Sequence, residues 1–126
     1  MITLPRHVRV HAYAAPADMR KGYEGLSALV RDELGRYPLS GDLFLFTNRT
    51  RRRAKVLLFD GTGLCLYCKR LDKGIFAKLW RDETRHEVAL TVSELTLFLE
   101  GSALVGRVKL SPDEITRKDL AIAIAK

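Results

Sequence analysis

Two β-type runs joined by a glycine-rich tetrapeptide constrain the fold of this chain more than any other feature. The runs Lys55–Phe59 and Leu64–Arg70 are rich in valine, leucine, phenylalanine and tyrosine, and Asp-Gly-Thr-Gly at 60–63 separates them. A short segment with glycine between two such runs is typical of a β-hairpin, because glycine tolerates the backbone angles of a tight turn. The sequence therefore predicts an antiparallel pair of strands near the middle of the chain.

Three further segments have the pattern of strands. Apolar and polar residues alternate through Val8–Tyr13, which is the period of a half-buried strand. Leu43–Phe46 is a short and wholly apolar run, as expected of a buried strand, and Glu87–Leu90 is a further candidate. Residues 72–82 show no regular period, and we expect an irregular connection or a short turn there.

One helix is predicted after the first strand. Pro16 ends the strand pattern, and Asp18 is placed to accept a free backbone N–H as the N-cap of a helix that ends at Gly35. Gly22 and Gly25 would each cost this helix about 1 kcal/mol relative to alanine. Either another element packs closely against these glycines, or the helix begins later than Asp18.

Two more helices are predicted in the C-terminal third. Thr91–Glu94 fits the capping-box pattern, and the apolar residues that follow it keep helical spacing up to Gly101. Ser111–Glu114 is a second capping box, which would open a helical tail over residues 111–126. The order of elements predicts an α+β fold, with a small mostly antiparallel sheet, an N-terminal strand–helix unit and C-terminal helices.

The length and composition of the chain fit one globular domain over residues 1–126. Hydrophobic residues make up 47% and charged residues 29%, which is an ordinary balance for a globular protein. No apolar run approaches the roughly 18 residues of a membrane span, and the first residues lack the apolar core of a secretory signal. We therefore expect a cytoplasmic protein that does not contact a membrane.

The nearest approach to a metal or redox motif is Cys65-x-x-Cys68. His7 and His11 lie over fifty residues upstream, in the reverse of the usual zinc-finger order. In a strand, the odd cysteine spacing would place the two sulfurs on opposite faces, which disfavours a zinc site and a redox pair alike. Carboxylates do not cluster, His86 stands alone, and no hydrolase motif is present. We expect no metal, no cofactor, no small-molecule substrate and no enzymatic activity.

The excess positive charge of the chain is confined to its middle third. The net charge is +7, from 22 Lys and Arg against 15 Asp and Glu. Residues 49–85 alone hold 11 of the basic and four of the acidic side chains, so the segments on either side nearly balance. A localised basic segment is the electrostatic pattern of a protein that binds a polyanion.

The basic residues are densest between the apolar run at 43–46 and the hairpin. Arginine offers a planar fork of donors that suits phosphate, and a loop lets a ligand approach its backbone. A solvated turn that protects a sheet edge would also be charged, but the absence of mixed signs favours binding. The candidate DNA-binding set is Arg49, Arg51, Arg52, Arg53 and Lys55, with Lys69, Arg70 and Lys73 beside them.

Five spaced blocks form a joint pattern, namely Asp18–Leu26, Leu43–Phe46, Lys55–Gly63, Leu66–Leu71 and Gly74–Phe76. Over about residues 3–101 this pattern resembles the small accessory protein, called Orf2 or TnpB, of the insertion-sequence sixty-six family of bacterial transposable elements. The chain departs from the family pattern twice. Ala77–Trp80 stands where a Trp-Pro pair is expected, and the loop at 48–53 is more purely basic than its counterpart.

The resemblance implies a non-catalytic role in DNA transposition beside a separate transposase, which carries the catalytic acidic residues. Two hypotheses of different classes follow. In the first, the basic cluster binds the phosphates of DNA near the ends of the element. In the second, the chain is an adaptor that docks on the transposase, through the sheet edge or the apolar tail Leu120–Ala125, without binding DNA itself.

Overall fold

Five strands and two helices make up the part of the chain that the computed structural model describes, residues 8–81 and 85–101. The predicted α+β class is confirmed, with its N-terminal strand–helix unit and a helix after the last strand. The predicted helical tail at 111–126 lies outside the described residues. In chain order the elements are β1 (Val10–Tyr13), α1 (Tyr23–Asp32), β2 (Leu43–Thr47), β3 (Arg53–Phe59), β4 (Leu64–Arg70), β5 (Glu87–Leu90) and α2 (Val92–Glu100).

The strands form a five-stranded sheet in the order β4-β3-β2-β1-β5. β1 and β2 are parallel, and the chain returns between them through α1, because parallel neighbours need a crossover connection. The other three neighbouring pairs are antiparallel, which confirms the predicted mostly antiparallel sheet. β4 and β5 are therefore the two edge strands.

The predicted hairpin forms between β3 and β4, which pair through seven residues in antiparallel register. At its turn, Asp60 Oδ1 accepts the backbone N–H groups of Thr62 and Gly63, at 2.9 Å each. These hydrogen bonds lower the pKa of the Asp60 carboxyl to about 2. Gly61 has a φ of 105°, so the turn uses the left-handed backbone region that glycine tolerates.

α1 covers one face of the sheet. Its side chains Leu26 and Val30 pack in one apolar cluster with Phe44, Phe46 and Leu57 of the central strands. All five are fully buried, and burying one such side chain stabilises a fold by roughly 1.5–3 kcal/mol. This layer fixes α1, and with it the segment that leads into the helix.

α2 and the segment after β4 cover the other face. Phe76 stacks on Phe98 of α2 with ring centroids 5.1 Å apart, and Leu79 is buried in the same cluster. The segment forms no helix or strand up to residue 81, so the predicted irregular connection is confirmed over its described part. The capping box of Thr91 and Glu94 forms at the start of α2, as predicted.

The start of α1 differs from the prediction. The helix begins at Tyr23 with Gly22 as its N-cap, so the N-cap assigned to Asp18 is wrong and the later start is confirmed. Asp18 instead accepts the backbone N–H of Arg20 at 2.9 Å and its guanidinium at 2.8 Å. An aspartate that bonds the backbone two residues on offers the chain an alternative to the helix. The bonds from Arg20 lower the pKa of Asp18 to about 2.

Glycines in the left-handed backbone region follow both helices, near the predicted ends. Gly35 (φ 62°) lies three residues after α1, and Gly101 (φ 97°) comes directly after α2. A Cβ added at Gly101 would lie 3.2 Å from the Leu71 side chain, so space as well as backbone angle favours glycine there. Among the described residues, no helix is long and apolar enough to cross a membrane.

Candidate nucleic-acid interface

One end of the sheet gathers most of the predicted DNA-binding cations. The loop 48–52 joins β2 to β3 at this end. The register places Arg53, the first residue of β3, opposite Arg70, the last residue of β4. Lys73 follows β4 by three residues. We call this end the basic edge, and it comprises the loop 48–52 with Arg53, Arg70 and Lys73.

The loop 48–52 is an ordered turn organised by Asn48. Its side-chain Oδ1 accepts the backbone N–H groups of Arg52 and Arg53, at 3.1 Å each, and its carbonyl oxygen accepts the N–H of Arg51 at 3.0 Å. Arg51 has a φ of 60°, a left-handed conformation that costs a non-glycine residue roughly 1–2 kcal/mol. The turn thus holds the backbone of three successive arginines in one arrangement.

The loop is also tied to the segment that follows β4. The Leu71 N–H donates to the Arg52 carbonyl oxygen at 2.9 Å, and the Phe76 N–H donates to the Arg51 carbonyl oxygen at 2.7 Å. Because Phe76 is fully buried, the second bond anchors the loop to the core. On this anchored loop, the side chains of Arg49 and Arg52 are exposed and that of Arg51 is half-buried.

Two exposed arginines stand directly opposite each other on neighbouring strands. Arg53 and Arg70 are register partners, so both side chains leave the same face of the sheet. Like charges directly opposite one another destabilise a sheet. Within residues 8–81 and 85–101, neither arginine forms an ion pair with a carboxylate.

Two open clefts border this pair. Both are open to solvent and rimmed by cations, a shape that suits the phosphates of a chain better than an enclosed small molecule. The first is about 390 Å³ and is lined by both arginines with Met19, Ala54, Lys55, Cys68 and Lys69. The second is about 360 Å³ and is lined by both arginines with Asn48, Thr50, Arg52, Leu71 and Asp72.

Lys55 lines the first cleft, but its ammonium is bound within the fold. Its Nζ donates to the carbonyl oxygens of Met19 at 2.8 Å and Lys21 at 2.9 Å, in the segment before α1. An ammonium that bridges two carbonyl oxygens holds this segment against β3. Its role in DNA binding stays a prediction, and the structure gives it a structural partner instead.

Lys69 lies on the opposite face of the sheet from Arg70, because neighbouring residues of a strand point to opposite sides. Its Nζ donates to the carbonyl oxygen of Leu99, near the C-terminal end of α2. Cations are favourable at this end of a helix, where carbonyl groups lack partners. Lys69 therefore ties α2 to β4. It lines the first cleft with Arg53 and Arg70, but its ammonium is bound at α2.

The segment before α1 brings one further exposed cation towards the basic edge. The Ala17 N–H donates to the carbonyl oxygen of Thr47, the last residue of β2, at 2.8 Å. Lys21 in this segment is exposed, whereas Arg20 is bound to Asp18. Lys21 is thus a further exposed cation, on a segment that is tied to β2 and β3.

A charged cluster beside α1 was not anticipated from the sequence. The two ring nitrogens of His11 lie 2.9 Å from Asp42 Oδ2 and 3.0 Å from Glu87 Oε1, and Arg36 donates to both oxygens of Glu87. Burial raises the pKa of Glu87, but the bonds from Arg36 and His11 outweigh it, so the pKa lies below 4.5. Each of these groups has a partner, so the cluster is structural. No local signal links His11 to carboxylates 31 and 76 residues away.

The two cysteines lie on opposite faces of β4, as their spacing predicts. Lost solvation and the neighbouring Asp60 raise the pKa of the Cys65 thiol, whose Sγ lies 3.5 Å from Asp60 Oδ2. A raised pKa keeps a thiol protonated and unreactive near neutral pH. In the part of the chain that the structure describes, no group of three His, Cys, Asp or Glu side chains is placed to hold a metal.

Comparison with known proteins assigns the family. Residues 8–108 match the profile of the family described as IS66 Orf2 like protein. The match spans most of the chain and includes every element of the described structure. The chain belongs to the IS66 Orf2-like family. It is a transposition-associated accessory protein, and the family associates it with a transposase.

Two relatives of this IS66 Orf2-like protein come from Sinorhizobium fredii. The uncharacterized protein y4hO is 36% identical over 101 residues, which cover 80% of this chain and 86% of the relative. The uncharacterized protein y4jC is 37% identical over 76 residues, which cover 60% of this chain and 65% of the relative. No solved structure matches the chain.

Proposed function

We propose that this IS66 Orf2-like protein binds the phosphate backbone of DNA through its basic edge and thereby assists the transposase. The observation that supports the proposal most is the concentration of cations without counterions at one end of the sheet. Cations that lie this close together repel one another, which favours binding of a polyanionic partner. Six of the eight predicted residues lie there, and none forms an ion pair with a described carboxylate: Arg49, Arg51, Arg52, Arg53, Arg70 and Lys73.

The rigidity of the loop 48–52 favours binding. Ordering a flexible loop on binding lowers affinity, since each immobilised side chain costs about 0.5–1.5 kcal/mol. The backbone of this loop is already held by Asn48 and by the bond to Phe76. The remaining entropy cost therefore falls on the arginine side chains alone.

Backbone binding predicts a strong dependence on salt. Each neutralised phosphate of duplex DNA releases counterions and contributes about −0.9 to the slope of log K against log salt. With about five contacts the slope is near −4.5. Phosphate contacts position a protein without reading sequence, so preference for the ends of the element would come from another surface or from the transposase.

The test is fluorescence-anisotropy binding of the pure protein to a duplex from the element's end and to a scrambled duplex. Both are titrated at several salt concentrations between about 50 and 200 mM, where phosphate contacts lose most of their affinity. The proposal expects salt-sensitive binding to both duplexes. No binding at the lowest salt would overturn it and leave the adaptor hypothesis.

The adaptor hypothesis stays a prediction. The apolar tail on which it chiefly depends lies outside the described residues, so the structure adds no support for that docking surface. DNA binding and docking are compatible, because the basic edge and the tail are separate segments of the chain. Co-purification with the transposase is the measurement that addresses the adaptor directly.

A further inference from the structure

The opposed pair Arg53 and Arg70 needs an anion that the described part of the chain does not supply. The two are direct register partners on β3 and β4, and both are exposed. Residues directly opposite in an antiparallel sheet have Cβ atoms about 4.5–5.5 Å apart, so two guanidinium groups there repel each other. The only carboxylate that lines either neighbouring cleft within the described residues is Asp72, which forms no ion pair with the arginines.

The spacing and direction of the two side chains suit one shared phosphate group. A guanidinium is a planar fork that donates two parallel hydrogen bonds to phosphate oxygens. Side chains that leave one face at adjacent positions can converge on a single anion between them. The backbone beneath is held on both sides, because Asn48 accepts the Arg53 N–H and the Leu71 N–H bonds the Arg52 carbonyl oxygen.

We propose that Arg53 and Arg70 together bind one phosphodiester group of a nucleic-acid backbone. This assignment rests on the proposed function and adds a fixed point of contact to it. The shared phosphate cancels the repulsion between the two arginines in the complex. The other cations of the basic edge then contact neighbouring phosphates independently.

Sharing one phosphate has three measurable consequences. Removing either arginine weakens DNA binding on the order of tenfold, while removing both weakens it by clearly less than the product of the two single effects. The double variant reduces the salt slope by about 0.9, because only one phosphate contact is lost. Each single variant is at least as stable as the wild type, since the repulsion is relieved.

The experiment is a double-mutant cycle of Arg53→Gln, Arg70→Gln and both changes together, measured by anisotropy at several salts and by thermal unfolding. Arg31→Gln is the charge-matched control, because Arg31 is exposed in the last turn of α1, away from the basic edge. We expect the control to leave affinity and slope unchanged. A further arm adds millimolar inorganic phosphate without DNA and measures the melting temperature.

The outcomes separate this inference from the proposed function. If the wild type binds DNA but the two single effects multiply and the slope falls by about 1.8, the shared phosphate is wrong and DNA binding by the basic edge stands. If inorganic phosphate raises the melting temperature only when both arginines are present while their effects on DNA multiply, the site binds free phosphate instead. A marked loss of stability in either single variant would show the pair to be structural and overturn the inference. If the wild type binds no DNA, both proposals fail.

Discussion

Lys55 Nζ lies 2.8 Å from the carbonyl oxygen of Met19, and this contact joins the middle of β3 to the segment before α1. The same ammonium bonds the Lys21 carbonyl oxygen at 2.9 Å. A lysine that belongs to the basic cluster by sequence is therefore part of the framework that supports the cluster. Arg53 lies two residues away on the same face of β3, so the two cations differ because the segment before α1 supplies carbonyl oxygens to Lys55.

The first prediction concerns this lysine. Lys55→Met keeps most of the aliphatic stem but leaves two carbonyl oxygens without their donor, so we expect a loss of about 1.5–3 kcal/mol in the free energy of unfolding. Urea unfolding measures it. Arg49→Gln, at an exposed loop position, should stay within about 0.5 kcal/mol of the wild type. A Lys55→Met protein of unchanged stability but reduced salt slope would make Lys55 a DNA contact instead.

The second prediction concerns the organiser of the loop. Asn48→Ala removes the acceptor for two backbone N–H groups, so we expect a loss of about 1 kcal/mol and several-fold weaker DNA binding. Asn48→Asp keeps an acceptor for these N–H groups, so its stability should be close to that of the wild type. Its negative charge should still weaken DNA binding. Thr50→Ala, in the same exposed loop, is the control for stability. Unchanged DNA affinity in Asn48→Ala would show that loop order does not matter for binding.

The third prediction is a dependence of stability on acid. The pKa of Glu87 is lowered in the folded protein, because the bonds from Arg36 and His11 outweigh the effect of burial. A carboxyl with a lowered folded pKa contributes stability above its unfolded pKa and loses it as the pH falls through the folded value. The free energy of unfolding should therefore decrease below about pH 4.5, and less so in Glu87→Gln. Equal acid sensitivity of both proteins would contradict the assignment.

The fourth prediction tests the adaptor hypothesis. Deletion of residues 112–126 leaves the segment that matches the family, residues 8–108, intact. If the tail docks on the transposase, the shortened protein loses co-purification and keeps its thermal unfolding transition. Retained co-purification would count against the tail as a docking surface, and the sheet edge, which is the other docking surface of that hypothesis, would then be tested.

Local signals predicted most of the elements. A few adjacent residues specify the hairpin turn at 60–63 and the capping box at Thr91, and both form as expected. Asp18 shows the limit of such signals, because the same carboxylate suits an N-cap and a bond to the residue two positions on. Only the cost of placing Gly22 and Gly25 inside a helix favoured the later start at Tyr23 that the structure shows.

Contacts between distant segments account for what the sequence could not predict. The parallel pairing of β1 with β2, and the partners of His11, join residues separated by dozens of positions. Within the candidate site, composition identified the basic segment, but not that Lys69 reaches the carbonyl oxygen of Leu99 on the other face. The register that sets Arg53 against Arg70 depends on the hairpin turn at 60–63, whose first and last residues each lie seven positions from the nearer arginine.

Binding of DNA phosphates by the loop arginines is tested by the salt slope of DNA binding, compared between the wild type and a variant with Gln at the four positions Arg49, Arg51, Arg52 and Arg53. Thermal unfolding confirms that the variant is folded. We predict a wild-type slope near −4.5 that decreases in magnitude by roughly 3 in the variant, with weaker binding to every duplex. A folded variant with the wild-type slope would contradict DNA binding by the basic edge, because the phosphates would then be bound elsewhere.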